Sequence, residues 1–509
     1  MNWIDDLIGV FSPRTAYQRA AWRQAHDSMK RLNDGARAYD GASRGRLTAD
    51  WRAGRGSADA EIISDLPTLR ERCRQMVRDN SYAAAGVRNL TAALVGDGIE
   101  PRAVHPDEKI AALAQRVWKA WAESRVDGRE DFYGVQRLAV RSMIEGGEAL
   151  IQWRPESGEP DARLLLLEGD FLDHTRTQLL RDGGRIVGGV EYDANGARVA
   201  YWIFPHHPGD TLGGMARQSV RTAALDVDHL FEATRIGQSR GVPWFHAGLR
   251  RLRDVTDIED AIRIKRRVEA CLAVFRSPAD TGAGSPLGQQ ETQTSGQVWE
   301  QLAPGMIIQG LPGESVTAIQ PSNNGDGDAF LRAQLMAVGA SIGVPYHVLT
   351  GDVSQANYSS LRAAMVVYWA LLDDWICNTI VPQLCAPAWT RVMRKAALKL
   401  SKPELANVTA SWTPAPRAWV DPLKDVTAEI MEVRAGFSSV PESLSSRGKD
   451  WRTAFKEVRE VNALIDALGL AFDTDARRVN GSGALQPATG YLQPNGSGAA
   501  SPANDQPLQ

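Results

Sequence analysis

The amino-acid sequence predicts a mixed α/β protein that is predominantly helical. Two observations lead to this class: helical periodicity over most of the chain, and one central stretch of short strand-like segments. A composition that is 43% hydrophobic and 23% charged is typical of a globular protein. At 509 residues the chain is longer than one hydrophobic core usually serves, so we expect more than one packed region.

The predicted helices have apolar residues at helical spacing and glycine or proline near their ends. They cover residues 66–95 (in two pieces, broken around Asp79-Asn80), 108–123, 132–145, 246–275, 328–342, 358–380, 388–400, 424–435 and 450–468. Pro382 and Pro387 should kink or divide the helical stretch after residue 358. Trp118 and Trp121 fall on one helical face, which favours core positions over cofactor contacts.

The predicted strands are short apolar runs between turn residues. They cover residues 149–153, 164–167, 186–192, 198–204, 306–309 and 316–319. Asp193-Ala194-Asn195-Gly196 lies between two of them and predicts a β-hairpin.

Composition at the two ends and in one internal segment differs from the rest. Residues 13–55 are rich in arginine and predict a helix followed by a basic arm, either solvated or partner-binding. Residues 279–297 are rich in Gly, Ser, Thr and Gln and predict a mobile loop. Beyond Thr474 the chain has almost no apolar content, which predicts a disordered tail.

Charge and cysteine content exclude several classes of protein. A formal net charge of −3 and a pI of about 6.3 do not fit an electrostatic DNA clamp. A conduit for sliding DNA remains possible, since such a conduit should avoid strong phosphate neutralisation. The four cysteines are scattered without a C-x-x-C pair, which argues against zinc ribbons and disulfide frameworks. We predict no signal peptide and no membrane span, because no apolar run approaches about 20 residues.

The search for catalytic chemistry gives weak candidates. Gly448-Lys449 lacks the other residues of a phosphate-binding loop. His206-His207 with Asp210 lies in an extended segment whose side chains should diverge, so a metal site is not expected. Glu145 with Glu148, and Asp373-Asp374, are paired carboxylates that could act as acid and base. The alternative functions are therefore a metal-dependent nuclease using Glu145, Glu148 or His206-His207, and a monomeric adaptor. We predict no enzyme activity, no cofactor and no metal.

Several sequence blocks, in one order, are similar to blocks of the lambda family of phage portal proteins. They are His229-Leu230-Phe231 (H-x-F), Arg235-Ile236-Gly237-Gln238-Ser239-Arg240-Gly241-Val242-Pro243 (R-x-G-Q-x-R-G-V-P), the turns Leu302-Ala303-Pro304-Gly305 and Leu311-Pro312-Gly313, Gly343-Val344-Pro345-Tyr346 with Asp352, Asn357-Tyr358-Ser359-Ser360-Leu361-Arg362, and Trp412-Thr413-Pro414 with Trp419-Val420-Asp421-Pro422-Leu423-Lys424-Asp425. The ordered set is specific, and the resemblance covers residues 66–470. The segment 279–297 departs from the family pattern, so no detailed contacts are expected of it.

The resemblance implies a structural protein of the virion that conducts DNA through a ring of about twelve subunits at one capsid vertex. It implies nine regions along the chain. These are a basic arm (1–60), a wing (61–245), a first stem helix (246–275), a clip (276–327), a second stem helix (328–344), a channel loop (345–360), a kinked helix returning to the wing (361–420), a helical crown (421–470) and a disordered tail (471–509).

The implied partners are double-stranded DNA without sequence specificity, the terminase large subunit, the major capsid and scaffold proteins, and the head-tail completion proteins. No membrane is among them. Assembly would take place in the cytoplasm of a bacterial host.

The same resemblance assigns two sets of site residues. The channel loop would present mostly uncharged polar groups able to make weak, exchangeable contacts with phosphates, and a ring would multiply any charge there. Its residues are Thr350, Asp352, Ser354, Gln355, Asn357 and Tyr358. The stem residues Arg250, Arg253, Asp257, Asp260, Lys265 and Arg266 carry both signs of charge, which favours pairing between subunits over contact with DNA.

Overall fold

A computed structural model describes residues 21–26, 29, 54–154, 163–210, 218–270, 275–276, 308–309, 327–414, 422–445, 447–449, 451–470, 472, 475 and 477. The predicted mobile loop, the strand at 316–319, and most of the basic arm, clip and tail lie outside these residues. The chain divides into two units, residues 1–60 and 61–509. In the first unit, residues 21–26 are helical and exposed.

Helices dominate the described chain, which confirms the mixed α/β, predominantly helical class. They are α1 (Ala58–Asp79), α2 (Ser81–Val95), α3 (Glu108–Ala122), α4 (Phe132–Gly146), α5 (Leu249–Ala270), α6 (Gly327–Ser341), α7 (Tyr346–Thr350), α8 (Tyr358–Trp375), α9 (Ala386–Lys399), α10 (Pro422–Ala435), α11 (Val440–Ser445) and α12 (Trp451–Ala467). Asn80 separates α1 from α2, as predicted, because its side chain accepts hydrogen bonds from the first turn of α2.

The strands of the described residues form small sheets. The strands are β1 (Glu100–Val104), β2 (Glu148–Arg154), β3 (Arg163–Glu168), β4 (Gln178–Leu179), β5 (Arg185–Val187), β6 (Val190–Tyr192), β7 (Arg198–Ile203), β8 (Val220–Ala223), β9 (Val227–Phe231), β10 (Phe275–Arg276), β11 (Ile308–Gln309) and β12 (Thr409–Thr413). β2 lies between β3 and β9 in an antiparallel sheet, and β4 to β8 form an antiparallel meander. β1 pairs with β12 antiparallel, and β10 pairs with β11 parallel.

Two sequence predictions need correction. The strand predicted at 186–192 is two strands, because Gly188 and Gly189 turn the chain at φ values of 52° and 86°. The helix predicted at 246–275 begins only at Leu249, after a short 3-10 turn at Trp244–Ala247, and Phe275–Arg276 is a strand. The hairpin at Asp193 to Gly196 is confirmed, since it joins β6 to β7.

The main core lies where α2, α3, α4 and β2 meet the helical stretch after residue 358. At its centre Trp118 is 1% exposed, and its ring contacts those of Phe132, Trp389 and Trp412 at centroid distances of 5.3, 5.3 and 5.9 Å. The prediction that Trp118 and Trp121 are core residues is confirmed. A second, smaller cluster, which includes Leu150 and Tyr201, joins β2 to the meander.

One helical stretch, Tyr358–Lys399, is long and apolar enough by composition to cross a membrane. The prediction of no membrane span considered uninterrupted apolar runs and did not detect this stretch. Its middle is a π-helical segment, Ile376–Cys385, which contains Pro382 and provides the interruption predicted from the prolines. Tyr368, Leu372 and Ile380 face the main core, so packing within the chain accounts for part of its apolar composition.

Candidate functional site

The segment between α6 and α8 was predicted to be a loop over residues 345–360. It is helical at its start, where Pro345 precedes α7, and again from Tyr358, where α8 begins. Gly351, at a φ of 76°, ends α7. The irregular part is therefore shorter than predicted and covers residues 351–357, which we call the tip loop.

Side chains of the predicted channel residues hold the tip loop in shape. Tyr346 donates its hydroxyl to Asp352 Oδ2 at 3.0 Å, and Thr350 Oγ1 donates to the carbonyl of Tyr346 at 2.8 Å. The other carboxylate oxygen of Asp352 accepts the backbone N–H of Ser354 at 2.9 Å. Hydrogen bonds from Ser354 and Tyr346 lower the pKa of Asp352, so it stays a carboxylate at neutral pH. Thr350 and Asp352 thus have a structural role in the loop.

The outermost residues of the tip loop are solvent-exposed. Val353 is 55% exposed, and Ser354, Gln355 and Ala356 are also exposed. Within the described part of the chain, the side-chain amide of Gln355 makes no hydrogen bond. The tip therefore presents a solvent-exposed amide and no positive charge.

The start of α8 joins two of the sequence blocks that are distant along the chain. Asn357 caps the helix, because its Oδ1 accepts the backbone N–H of Ser360 at 2.8 Å. One turn further, Arg362 pairs with Asp425 of α10 at 3.0 Å. The ammonium of Lys424 lies 5.3 Å from the ring centroid of Tyr358. The tip loop is thereby connected to the C-terminal helices.

Gly343, in the Gly-Val-Pro-Tyr block, fixes the direction in which the chain leaves α6. Its φ is 70°, and a Cβ built there would lie 2.8 Å from a ring atom of Trp375. A side chain at this position would strain the backbone and collide with the core. The block therefore encodes the geometry from which the tip loop projects.

Helices α5 and α6 pack side by side and carry the predicted stem residues. Leu252 and Val255 of α5 are buried, whereas no residue from 256 to 267 is. Arg251 donates to Gln334 Oε1 of α6 at 2.9 Å. An open groove runs along the pair, lined by Arg250, Arg251, Asp254, Asp257, Ile258, Phe330 and Gln334. Most of the α5 surface is therefore available to a neighbour.

The stem charges are partly paired within the chain. Arg253 lies 3.9 Å from Asp257, and Arg263 donates to Asp260 at 2.7 Å. All four side chains are more than half exposed, so each pair contributes only about 0–1 kcal/mol. Lys265 is half-buried, and Arg266 is exposed.

Two sequence blocks meet in a buried ionic cluster that the sequence analysis missed. Glu148 has no exposed surface and accepts from Arg240 Nε at 2.9 Å, from the Gly241 backbone N–H at 2.9 Å and from Arg70. His229 Nε2 lies 2.9 Å from Glu148 Oε2, the oxygen that also accepts from Gly241. Arg240 also donates to the carbonyls of Gly188 and Gly169, at 2.6 and 2.8 Å. His229 belongs to the H-x-F block and Arg240 to the R-x-G-Q-x-R-G-V-P block. Their place in these blocks was the signal in the sequence that could have indicated the cluster.

The electrostatics of this cluster follow from its arginines. Although burial opposes the charge, Arg240 and Arg70 hold the pKa of Glu148 well below its usual range. Burial lowers the pKa of His229, so we assign a neutral ring that donates its Nε2–H to Glu148. A carboxylate enclosed in this way cannot reach a substrate, which removes Glu148 from the nuclease hypothesis.

The remaining nuclease candidates do not converge either. Glu145 is paired with Arg141 at 3.4 Å, and burial raises its pKa. His207, predicted not to ligate a metal, has donor atoms within 4.8 Å of Glu168 and Asp170. Arg74 bonds both carboxylates, at 2.8 Å for Glu168. The guanidinium already occupies both carboxylates and offsets one of their two charges, so the donor set does not favour a metal ion.

Comparison of the sequence with known proteins identifies one family. The family model described as phage portal protein, lambda family, matches residues 44–375. The probable portal protein of Halomonas phage phiHAP-1 is 26% identical over 461 residues, covering 85% of this chain and 88% of that protein. Portal protein B of Escherichia phage lambda is 22% identical, covering 85% and 91%.

Comparison of structures finds particles of gene transfer agents. A chain from the neck of a native particle computed with C12 symmetry has a TM-score of 0.37 and 14% identity, covering 80% of this chain and 98% of that one. A chain from the virion of a native particle has a TM-score of 0.39 and 16% identity, covering 79% and 97%. The family assignment therefore stands on the sequence match.

Proposed function

This chain belongs to the lambda family of phage portal proteins, and on that premise we propose that its copies close into a ring of about twelve at one capsid vertex. Double-stranded DNA would enter and leave the head through this ring. The role is structural, and no catalytic step is assigned to the chain. The observation that carries the proposal is the tip loop, which is exposed, fixed at its base and free of positive charge.

The tip loop suits contact with a moving duplex. Gln355 and Ser354 offer polar groups that can exchange partners from one phosphate to the next. Asp352, held as a carboxylate, repels phosphates at the base of the loop. A ring repeats these groups in every subunit, so a small charge per chain becomes a belt around the DNA.

The exposed surface of α5 supports packing between subunits. Its mixed charges, including Arg250, Arg253, Asp257, Asp260, Lys265 and Arg266, would pair with those of neighbouring copies and set their register. The groove between α5 and α6 would receive part of that contact. Because each exposed pair is weak, the charges would contribute specificity more than affinity.

The other regions keep the roles that the family resemblance implies. Residues 61–245 and 361–420 would form the wing, 276–327 the clip that meets the terminase large subunit and later the head-tail completion proteins, and 421–470 the crown. The major capsid and scaffold proteins would contact the ring in the assembling head. Assembly in the cytoplasm of the bacterial host is part of the same proposal.

Adding a positive charge to the tip loop tests the channel assignment. Gln355→Lys should leave rings intact and slow DNA packaging, because each subunit then adds a cation to the lumen. Retention of DNA should gain a salt dependence, with a log–log slope steeper by about 0.9 for each phosphate neutralised. An in vitro packaging assay over a salt series measures both.

The matched control places the same charge on an exposed turn elsewhere. Asn195→Lys adds a lysine to the β6–β7 hairpin, far along the chain from the tip loop. It should package DNA like the parent protein. Normal packaging by Gln355→Lys, or an equal defect in Asn195→Lys, would contradict the channel role. Native mass spectrometry of the parent decides between a ring and the alternative of a monomeric adaptor.

A further inference from the structure

The described residues of the C-terminal helical region, 422–470, form no interior of their own. None of the residues of α10, α11 and α12 is buried. Large apolar side chains that are at least 40% exposed occur throughout it: Leu423, Ile430, Met431, Phe437, Val440, Phe455, Val458, Val461, Leu464, Leu468 and Leu470. Scattered apolar residues are normal on a protein surface, but a set this dense over so short a stretch marks an interaction surface.

Helix α12 carries the most regular part of this surface. Trp451, Ala454, Val458, Val461, Ile465 and Leu468 follow one another at alternating spacings of three and four residues. This is the spacing of a helix that packs along its whole length against another helix. Val458, Val461 and Leu468 are 54%, 54% and 62% exposed, so these positions are open in the single chain. The other three members of the face are half-buried.

Charge on α12 indicates what kind of partner fits. The helix carries three basic residues, Arg452, Lys456 and Arg459, and three acidic ones, Glu457, Glu460 and Asp466. A balanced surface gives no attraction for DNA or for a strongly charged protein, and it does not repel an identical surface. A second copy of the same region satisfies both the apolar face and the charges.

Contacts with the rest of the chain hold the region where copies could meet. At one end Asp425 pairs with Arg362 of α8, and at the other Arg452 lies 3.9 Å from Glu108 of α3. Both contacts anchor polar faces and leave the apolar face of α12 open. In a closed ring, every subunit would bring this face beside its neighbour at high effective concentration.

We propose that residues 422–470 are completed only by the same region of a neighbouring copy, with the apolar face of α12 packed against it. This inference rests on the proposed ring and adds to it that the crown is an assembly-dependent fold. The single chain would hold these helices loosely, since short helices without tertiary packing are marginal in water. Assembly and folding of this region would then be one step.

The test compares two double variants with equal added charge. Val458→Lys with Val461→Lys places two lysines on the apolar face. Ala463→Lys with Ala467→Lys places two lysines at exposed positions outside that face. We expect the first variant to need at least about tenfold more protein for ring assembly, and the second to behave like the parent. Native mass spectrometry over a concentration series measures this, and tryptophan near-UV circular dichroism confirms that the main core remains folded.

Hydrogen exchange of the parent protein tests whether a neighbouring copy covers the apolar face of α12. The amides of 451–467 should be protected in the ring and exchange freely in the dissociated chain. Equal protection in both would show that the chain covers the face itself and would overturn the inference. Protection that appears only with a different protein, or rings of Val458→Lys/Val461→Lys that assemble normally, would overturn it too. A parent that forms no ring at all refutes the proposed function instead.

Discussion

The body of the chain, residues 61–414, buries many of its large side chains, whereas the C-terminal helices, within residues 422–470, leave theirs exposed. In the body, Trp118 and Leu90 are almost completely enclosed, and even the charge of Glu148 is enclosed and paired. In residues 422–470, apolar side chains such as Leu464 remain 60% exposed and none of the residues of α10, α11 and α12 is buried. The body can therefore fold as a single chain, while the C-terminal helices depend on a neighbour.

This difference suits a subunit that must exist before its assembly does. A closed core lets the body fold before copies meet. A region left incomplete gives assembly a favourable free energy, because apolar area is removed from water only when copies meet.

The largest expected effect is the loss of the buried charge. Glu148→Ala leaves Arg70 and Arg240 enclosed without their counter-ion and should lower the free energy of unfolding by about 3–5 kcal/mol. Chemical denaturation followed by tryptophan fluorescence measures it. Glu168→Ala, at a carboxylate that is 52% exposed, is the control and should cost less than about 1 kcal/mol. Similar losses in the two variants would mean that the cluster is not a stabilising element.

A matched pair of leucines sharpens the comparison of the two regions. Leu90→Ala in α2 removes a fully buried side chain and should cost about 2–5 kcal/mol. Leu464→Ala in α12 removes an exposed one and should change the stability of the dissociated chain by no more than about 0.5 kcal/mol. Only in the assembled protein should Leu464→Ala have a measurable cost. Thermal denaturation of both states tests this, and a large cost in the dissociated chain would argue for a hidden intramolecular core.

Acidification should weaken the body in two stages. The pKa of His229 in the folded state lies below its ordinary 6.5. The contribution of the neutral His229 ring to the free energy of unfolding is therefore complete above pH 6.5, and it is lost as the pH falls toward the folded-state pKa. Glu148 follows in the same direction below 4.5. Each group adds at most about 1.4 kcal/mol per pH unit. His229→Gln should flatten the first stage of a stability–pH curve, in part only, because burial also lowers the pKa of His174.

The smallest expected effect concerns the link between the tip loop and the C-terminal helices. Arg362→Ala removes an exposed pair with Asp425 and should change stability by about 0–1 kcal/mol. If the Arg362–Asp425 pair positions the tip loop, Arg362→Ala should reduce DNA packaging without reducing ring formation. Arg253→Ala, at another exposed pair, provides the control for a purely electrostatic change. Unchanged packaging in Arg362→Ala would limit the link to a local role.

The sequence predicts elements whose signals are local. The helix break at Asp79-Asn80, the Asp193 to Gly196 hairpin and the core position of Trp118 depend on neighbours within one or two turns, and all three are confirmed. Short strands such as β1 and β12 were missed, because they pair across about 300 residues and have little alternation of their own.

The site was predictable in outline only. The order of the sequence blocks located the tip loop, but it could not show that Tyr346 and Asp352 close it or that Arg362 meets Asp425. The Glu148 cluster was missed because a buried carboxylate and a solvated one look alike in sequence. What distinguishes them is the convergence of Arg70, His229 and Arg240 from distant segments.

The convergence of these side chains also determines when the Glu148 cluster can form during synthesis. The partners of Glu148 lie 78, 81 and 92 positions away along the chain, at Arg70, His229 and Arg240. A nascent polypeptide cannot close this cluster until Arg240 has been synthesised, and by then nearly half of the 509 residues have been added. A fragment that ends before His229 lacks two of the three side chains that pair with Glu148, so it cannot form the buried cluster.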